Sequence, residues 1–236
     1  MNKWKKRKIF LILSAVLLFL FWATDLDEQS KQLYLELIDS DSRCEVPLLI
    51  SSQDYNNNQI PDALDIVSGA RREVEQGTVY DASYYQGGYP PDGKGACTDL
   101  IWRAFGQAGY DLKEMLDEDI ENAPDAYGAT GDNPDPDIDF RRVSNLQVFF
   151  QRHAQQLTLE LIPGEIENLS CWQAGDIVVF ARPLEHIGIV SDKRRRDGVP
   201  LLIHNAGPRA SESDSLQNWP SRIIYHFRFP AGEEVL

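Results

Sequence analysis

A chain of 236 residues with 42% hydrophobic and 10% aromatic side chains has ample material for one catalytic-size core. Its net charge of −14 hides an asymmetry: Lys3, Lys5, Lys6, Arg7 and Lys8 open the chain, and the rest carries 18 basic against 37 acidic groups, or −19. So acidic a body excludes a nucleic-acid backbone as partner, because phosphate binding needs a positive face; a cationic or neutral ligand, or a metal ion, is compatible.

The basic start runs into a 15-residue apolar stretch, residues 9–23, short of the roughly 20 that a full membrane span prefers. Trp22 stands where a small residue is wanted for cleavage. An uncleaved signal-anchor over residues 1–24, tethering the body outside the cell, is the favoured reading, and a cleaved signal peptide the alternative. Both make the domain extracytoplasmic, anchored in the membrane or secreted. Residues 25–53 read as a polar stalk with a short helix at 29–38. Outside the cell three cysteines are an odd number. Pairing of Cys44 with Cys171 would leave Cys97 free, although independent thiols are the plainer state.

Residues 54–65, DYNNNQIPDALD, space oxygen donors at Asp54, Asn56, Asn58, the Ile60 carbonyl, Asp62 and Asp65 ahead of a helix. The pattern is similar to calcium loops of the EF-hand and DxDxDGxxD kind, so weak Ca2+ binding is expected. Gln59 replaces the usual turn glycine and Asp65 the longer glutamate. The competing reading is an Asx-turn that starts the helix at Asp62.

A helix is expected over residues 62–76, closed by Gly77. Residues 78–95, rich in Tyr, Gly and Pro, form an ordered loop. The next helix spans residues 97–108 and stops at Gly109. Residues 111–142 are acidic and Pro-rich and read as an irregular excursion. Ser144 caps a third helix to about residue 155. Beyond Gly164 the pattern turns to strands at 176–180, 186–191, 201–205 and 222–229. Helices followed by strands give an α+β domain, its N-terminal helices packed on a C-terminal antiparallel sheet.

The chemistry starts at Cys97, in KGACTDLIWRAF. Cys97, Ile101, Ala104, Phe105 and Ala108 share one helix face, so the thiol points at the sheet. Unpaired amides at the helix start favour the thiolate, and a lowered pKa is expected. Gly93 and Gly95 leave the approach open. A small buried cysteine on an amphipathic helix explains this segment equally well. His186 breaks the tie: it opens the strand HIGIVS, and Gly188 on its face leaves space beside the ring, as suits a base that reaches a thiol. A third polar group must orient the imidazole. His204 or Asn205 can do so, but they point to opposite faces. Asp99 and Arg103 read as solvated. Arg141 or Arg142 could clamp a substrate carboxylate, with ion pairing to nearby aspartates as the rival reading.

The blocks GACTDLIWRAF, PDPDIDFRRVSNLQVFFQRH, AGDIVVF and LEHIGIVSDKRRRDGVPLLIHNAG, in this order over residues 66–229, resemble the bacterial family known as domain of unknown function 1287. That family is similar to the NlpC-type cell-wall cysteine peptidases of the papain-like superfamily. The resemblance implies Cys97 as nucleophile, His186 as base and His204 as orienting residue, acting on peptidoglycan peptides without a cofactor for the catalysis. NlpC-type enzymes often carry Asp directly before the cysteine; here it is Ala96. Three other readings stay open: a non-catalytic wall-binding or calcium-stabilised module, an acyltransferase on the same scaffold, and, more weakly, a zinc site from Cys97, His186 and His204 that lacks short ligand spacing.

Overall fold

The computed structural model describes residues 44–230. The expected signal segment and the stalk up to residue 43 lie outside the described residues. Among the described residues no helix is long and apolar enough to cross a membrane.

The domain is α+β. Four helices of three turns or more come first: α1 (Asp62–Glu75), α2 (Cys97–Gln107), α3 (Leu112–Asn122) and α4 (Val143–His153). A parallel two-stranded ribbon, β1 (Val79–Tyr80) with β2 (Lys94–Gly95), lies between α1 and α2. The main sheet is built from β3 (Gln155–Gln156), β4 (Ile177–Phe180), β5 (His186–Arg194), β6 (Pro200–His204), β7 (Ser211–Ser213) and β8 (Ile223–Arg228). Its order is β3-β8-β4-β5-β6-β7, with every pairing antiparallel.

Alternation along the central strands builds two cores, because successive strand residues face opposite sides. Ile177, Val179, Ile187, Ile189, Ile203 and Phe227 pack with Ile66, Ile101, Phe105 and Phe150 of the helices. Val178, Phe180, Val190 and Leu202 pack with Trp172 and Leu216, and Trp219 covers this second cluster. Within the second layer His226 stacks on Trp172 at 3.8 Å. Its Nε2 lies 3.0 Å from Asp176 Oδ2, and Arg228 donates to the same carboxylate through Nε and Nη2. This buried network ties β8 to the turn before β4.

Three expectations need correcting. The excursion after residue 110 is not irregular throughout. Asp111 accepts the Glu114 amide at 3.0 Å as an N-cap, and Leu112, Leu116 and Ile120 bury one face of α3. Ser144 does not cap α4, which starts at Val143 with no side-chain cap. Residues 44–53 are not a free stalk. Cys44 N donates to the Arg196 carbonyl, Leu49 N to Gln173 Oε1, and Gln173 Nε2 to the Pro47 carbonyl. The domain thus begins near Cys44, ahead of the expected boundary at residue 66, because this segment finds backbone partners on the domain surface. Cys44, Cys97 and Cys171 are all free thiols.

Candidate active site

Cys97 is the first residue of α2, and its position is set from below. Asp99 is fully buried. Its Oδ2 accepts the Ala96 amide at 2.6 Å, which is the acidic half of a capping box, since Ala96 has no oxygen to return. The same carboxylate takes Arg141 in a two-pronged pair, Nε to Oδ1 at 2.7 Å and Nη2 to Oδ2 at 3.0 Å, and the Trp102 indole N–H at 3.1 Å. Arg141 goes on to the carbonyls of Ser83 and Asp81, and its own carbonyl accepts the Thr98 hydroxyl. Gly95 belongs here for a steric reason: a Cβ would stand 2.7 Å from the Asp99 Cβ.

The solvated role expected for Asp99 is therefore wrong, because its charge is matched by a guanidinium that is itself buried. Arg141 is correspondingly no substrate clamp; its side chain is committed to Asp99 and the 81–83 loop. Arg142 donates to Asp139 Oδ1 at 2.9 Å and to Thr130, so the rival ion-pair reading describes it. Arg103, expected to be solvated, pairs with Glu73 at 2.7 Å and donates to the Lys94 carbonyl. Asn205, expected either to orient the imidazole or to bind substrate, does neither. It is fully buried, and its Nδ2 donates to the carbonyls of Gly95 at 2.8 Å and Thr78 at 3.3 Å. It pins the ribbon that delivers the chain into Cys97.

Of His204 and Asn205, it is His204 that meets the His186 ring. His186 opens β5, and its Nε2 lies 2.8 Å from His204 Nδ1 at the end of β6. His204 Nε2 lies 3.1 Å from Ser213 Oγ on β7. Trp219 stacks on the His186 ring, 4.3 Å between centroids and 15° between planes, and stands edge-on to His204 at 5.6 Å. Its own indole N–H is held by the Leu184 carbonyl at 3.0 Å. Gly188 does not make room for the imidazole as expected; a Cβ there would meet Leu202 at 2.9 Å.

The sulfur lies against this strand. The amide of Ile187, the residue after His186, faces it, as do the amides of Thr98 and of Cys97 itself. The thiol–imidazole hydrogen bond is not made in this structure: Cys97 packs in the helical-side cluster with Ile187 and Ile189, whereas the His186 ring lies against Phe180 and Trp219 of the second cluster.

Burial decides the electrostatics. It pushes the Cys97 thiol up to about 11, against the opposing pull of the three amides. The expected lowering is thus reversed: helix-end amides help the thiolate, but desolvation of the buried thiol outweighs them. Burial, then His204, brings His186 down to about 3, and burial brings His204 down to about 4. Thiol and both rings are therefore neutral at physiological pH.

Tyr80, which sequence reasoning passed over, belongs to this neighbourhood. Its phenol is held above the usual range by burial first and then by Cys97 and Asp99. Trp219 and Ser213 were also missed. Neither carries a motif, and both arrive through folding of distant segments. A cavity of about 740 Å³ lined by Tyr89, Asp111, Glu114, Asp117 and Glu121 sits in the acidic excursion and is lined by none of Cys97, His186 and His204.

Among the described residues, no group of three His, Cys, Asp or Glu side chains is placed to hold an ion, neither Cys97 with His186 and His204 nor the carboxylates of the 54–65 loop. In the 54–65 loop Gln59 does take the left-handed turn, φ 71°, despite not being glycine. Asp54 accepts the amides of Asn58 and Gln59, and Asn56 and Asn58 accept amides two residues on, as Asx-turns do. Asp65 Oδ2 accepts the side-chain N–H groups of Asn56 and Asn58 at 3.0 and 2.8 Å. Asp62 is not an N-cap; it accepts the Tyr55 amide and the Tyr110 hydroxyl. As arranged, the carboxylates meet N–H donors. Ca2+ needs oxygen in those places, so the two amides would have to turn over.

Against known proteins, residues 67–229 match the family model described as Domain of unknown function (DUF1287). The chain is 38% identical over 174 residues to the uncharacterized protein YijF of Escherichia coli (strain K12), covering 70% of this chain and 81% of that protein. The chain belongs to the domain-1287 family.

Proposed function

We propose, for this member of the domain-1287 family, a papain-like cysteine hydrolase that cuts amide bonds, with peptidoglycan stem peptides as the substrate class. Cys97 is the nucleophile, His186 the base and His204 the residue that orients it. One observation carries this reading: a hydrogen-bonded histidine pair whose first member is joined, through the next peptide, to the amide facing a helix-start thiol. In the reaction His186 takes the thiol proton as sulfur attacks the amide carbonyl. It then returns the proton to the leaving amine, and water resolves the thioester. The Cys97 backbone N–H serves as one oxyanion donor in this mechanism. The neutral thiol and ring describe a resting site, and substrate polar groups must make the separated charges tolerable. The reading includes export, by a signal-anchor over residues 1–24 or a cleaved signal peptide, which brings the domain to the cell wall.

The test is product analysis on isolated cell wall. Purified protein should release new amines from peptidoglycan fragments, and Cys97→Ala should release none above background. Equal release by both proteins removes the hydrolase.

We also propose weak Ca2+ binding by Asp54, Asn56, Asn58, Ile60, Asp62 and Asp65. The left-handed Gln59, with its amide on Asp54, supports it. At calcium tenfold above a millimolar Kd, linkage gives about 1.4 kcal/mol, or a few degrees in Tm. That shift should vanish in Asp54→Ala. No shift in the parent at 10-fold excess over about 1 mM ends the proposal.

A further inference from the structure

Resting on the hydrolase reading, the structure assigns a fourth member to the site: we infer that Ser213, backed by Ser211, is a positioning residue that fixes the tautomer of both histidines so that His186 Nδ1 is left free to accept a proton. The observation is a chain of polar atoms running across three strands. His186 Nε2 lies 2.8 Å from His204 Nδ1, and His204 Nε2 lies 3.1 Å from Ser213 Oγ. Ser213 Oγ in turn lies 2.8 Å from Ser215 Oγ. Ser211 Oγ stands 3.5 Å from the same His204 nitrogen. Register brings them together: His204 pairs with Ser211 and Leu202 with Ser213 across β6 and β7, and side chains two apart share a face.

A neutral imidazole has one N–H and one lone pair, so the chain runs in one of two directions. In the first, His186 Nε2–H donates to His204 Nδ1, His204 Nε2–H donates to Ser213 Oγ, and the Ser213 hydroxyl donates to Ser215. His186 Nδ1 then carries a lone pair. In the second, Ser213 donates to His204, His204 Nδ1–H donates to His186, and His186 carries its proton on Nδ1. Only the first can take the Cys97 proton. Only the first survives its arrival as well: once His186 holds both protons, its Nε2–H needs the lone pair on His204 Nδ1, and the second arrangement would set two protons against each other.

The hydrolase reading requires the first direction. His186 Nδ1 makes no hydrogen bond among the described residues, and since none of their buried side-chain nitrogens lacks a partner, it reaches solvent, where its lone pair is open to a proton. At the other end Ser213 is the acceptor that makes the first direction satisfiable. An alanine at 213 and 211 removes it and leaves His204 Nε2–H without a partner. Both rings are neutral in the folded site, in keeping with a tautomer choice rather than a charge.

The experiment is side-chain ¹⁵N spectroscopy of the intact protein, whose four histidines make assignment tractable by single replacements. The parent should show His186 and His204 protonated at Nε2 with bare Nδ1. The double variant Ser211→Ala/Ser213→Ala should move a substantial fraction of the protonation of both rings to Nδ1. Ser213→Thr, which keeps the hydroxyl, should keep the parent pattern. A folded double variant with unchanged ¹⁵N shifts overturns the inference, as does a parent with His186 protonated at Nδ1. The readout needs no substrate. A protein that releases no amines from cell wall but shows the tautomer response keeps the ring assignment and loses only the hydrolase reading.

Discussion

Replacing Arg141 with Met is expected to destabilise the domain by about 3–5 kcal/mol, a large part of the roughly 5–15 kcal/mol that holds a domain folded. The guanidinium and the Asp99 carboxylate are both almost fully out of solvent, with side-chain exposures of 2% and 0%. Cutting one partner leaves a buried carboxylate whose remaining donors are the Ala96 amide and the Trp102 indole. It also abandons the Ser83 carbonyl, which Arg141 Nη1 holds at 2.6 Å. The pair itself need not be net stabilising, since desolvation opposes the attraction. The double variant Asp99→Asn/Arg141→Met should therefore be less damaged than Arg141→Met alone. Urea unfolding of the parent, the two single variants Asp99→Asn and Arg141→Met, and the double variant measures this as a coupling energy. A single-variant loss under about 1 kcal/mol, the value for an exposed pair, would mean that Arg141 is not buried against Asp99. The helix start also depends on this pair, so the surviving folded fraction should show faster Cys97 alkylation.

That pair also marks where sequence reading stops. The helices that carry Cys97 and the strands that carry His186 and His204 were legible, because apolar spacing of 3.6 and 2 needs no knowledge of partners. The pairing of Asp99 with Arg141 was not, as 42 residues separate them. Both look like ordinary surface charges until folding removes the water. The choice between His204 and Asn205 failed for a related reason. Alternation shows that they face opposite ways, but not which way the helices lie. In the fold Ile203 and Asn205 face the helical side, where Asn205 grips the ribbon, and His204 faces its partner ring. Helix α3 was readable at Leu112, Leu116 and Ile120, with Asp111 as cap, yet six acidic residues from 111 to 121 and the prolines that follow obscured its stripe. The Cys97 thiol shows the most instructive error. Helix-end amides are visible in a sequence and argue for acidity. Burial is a property of the finished fold, and here it is the larger effect.

His186→Ala should lower amide cleavage on the order of 10⁴-fold or more while leaving the domain folded, because a base paired with its nucleophile acts as one unit. His204→Ala should cost less, roughly 10²-fold, since it orients and does not touch substrate. The double variant should be no worse than His186→Ala; with the base gone, its orienting partner has nothing to act on. Thiol basicity separates from base catalysis in the same proteins. Burial of the sulfur, and not the neighbouring ring, holds the thiol near about 11. Alkylation of Cys97 should therefore be slow at neutral pH and rise as the pH climbs toward about 11, with the same midpoint in His186→Ala. The sign follows from the direction of the shift: raising a thiol pKa shrinks the thiolate fraction at every pH below it. A midpoint at or below the free-thiol value of about 8.5 would mean that the sulfur is solvated or already ion-paired with His186. Full cleavage activity in His186→Ala would remove the imidazole from the mechanism and leave the His186–His204 bond as a piece of strand architecture.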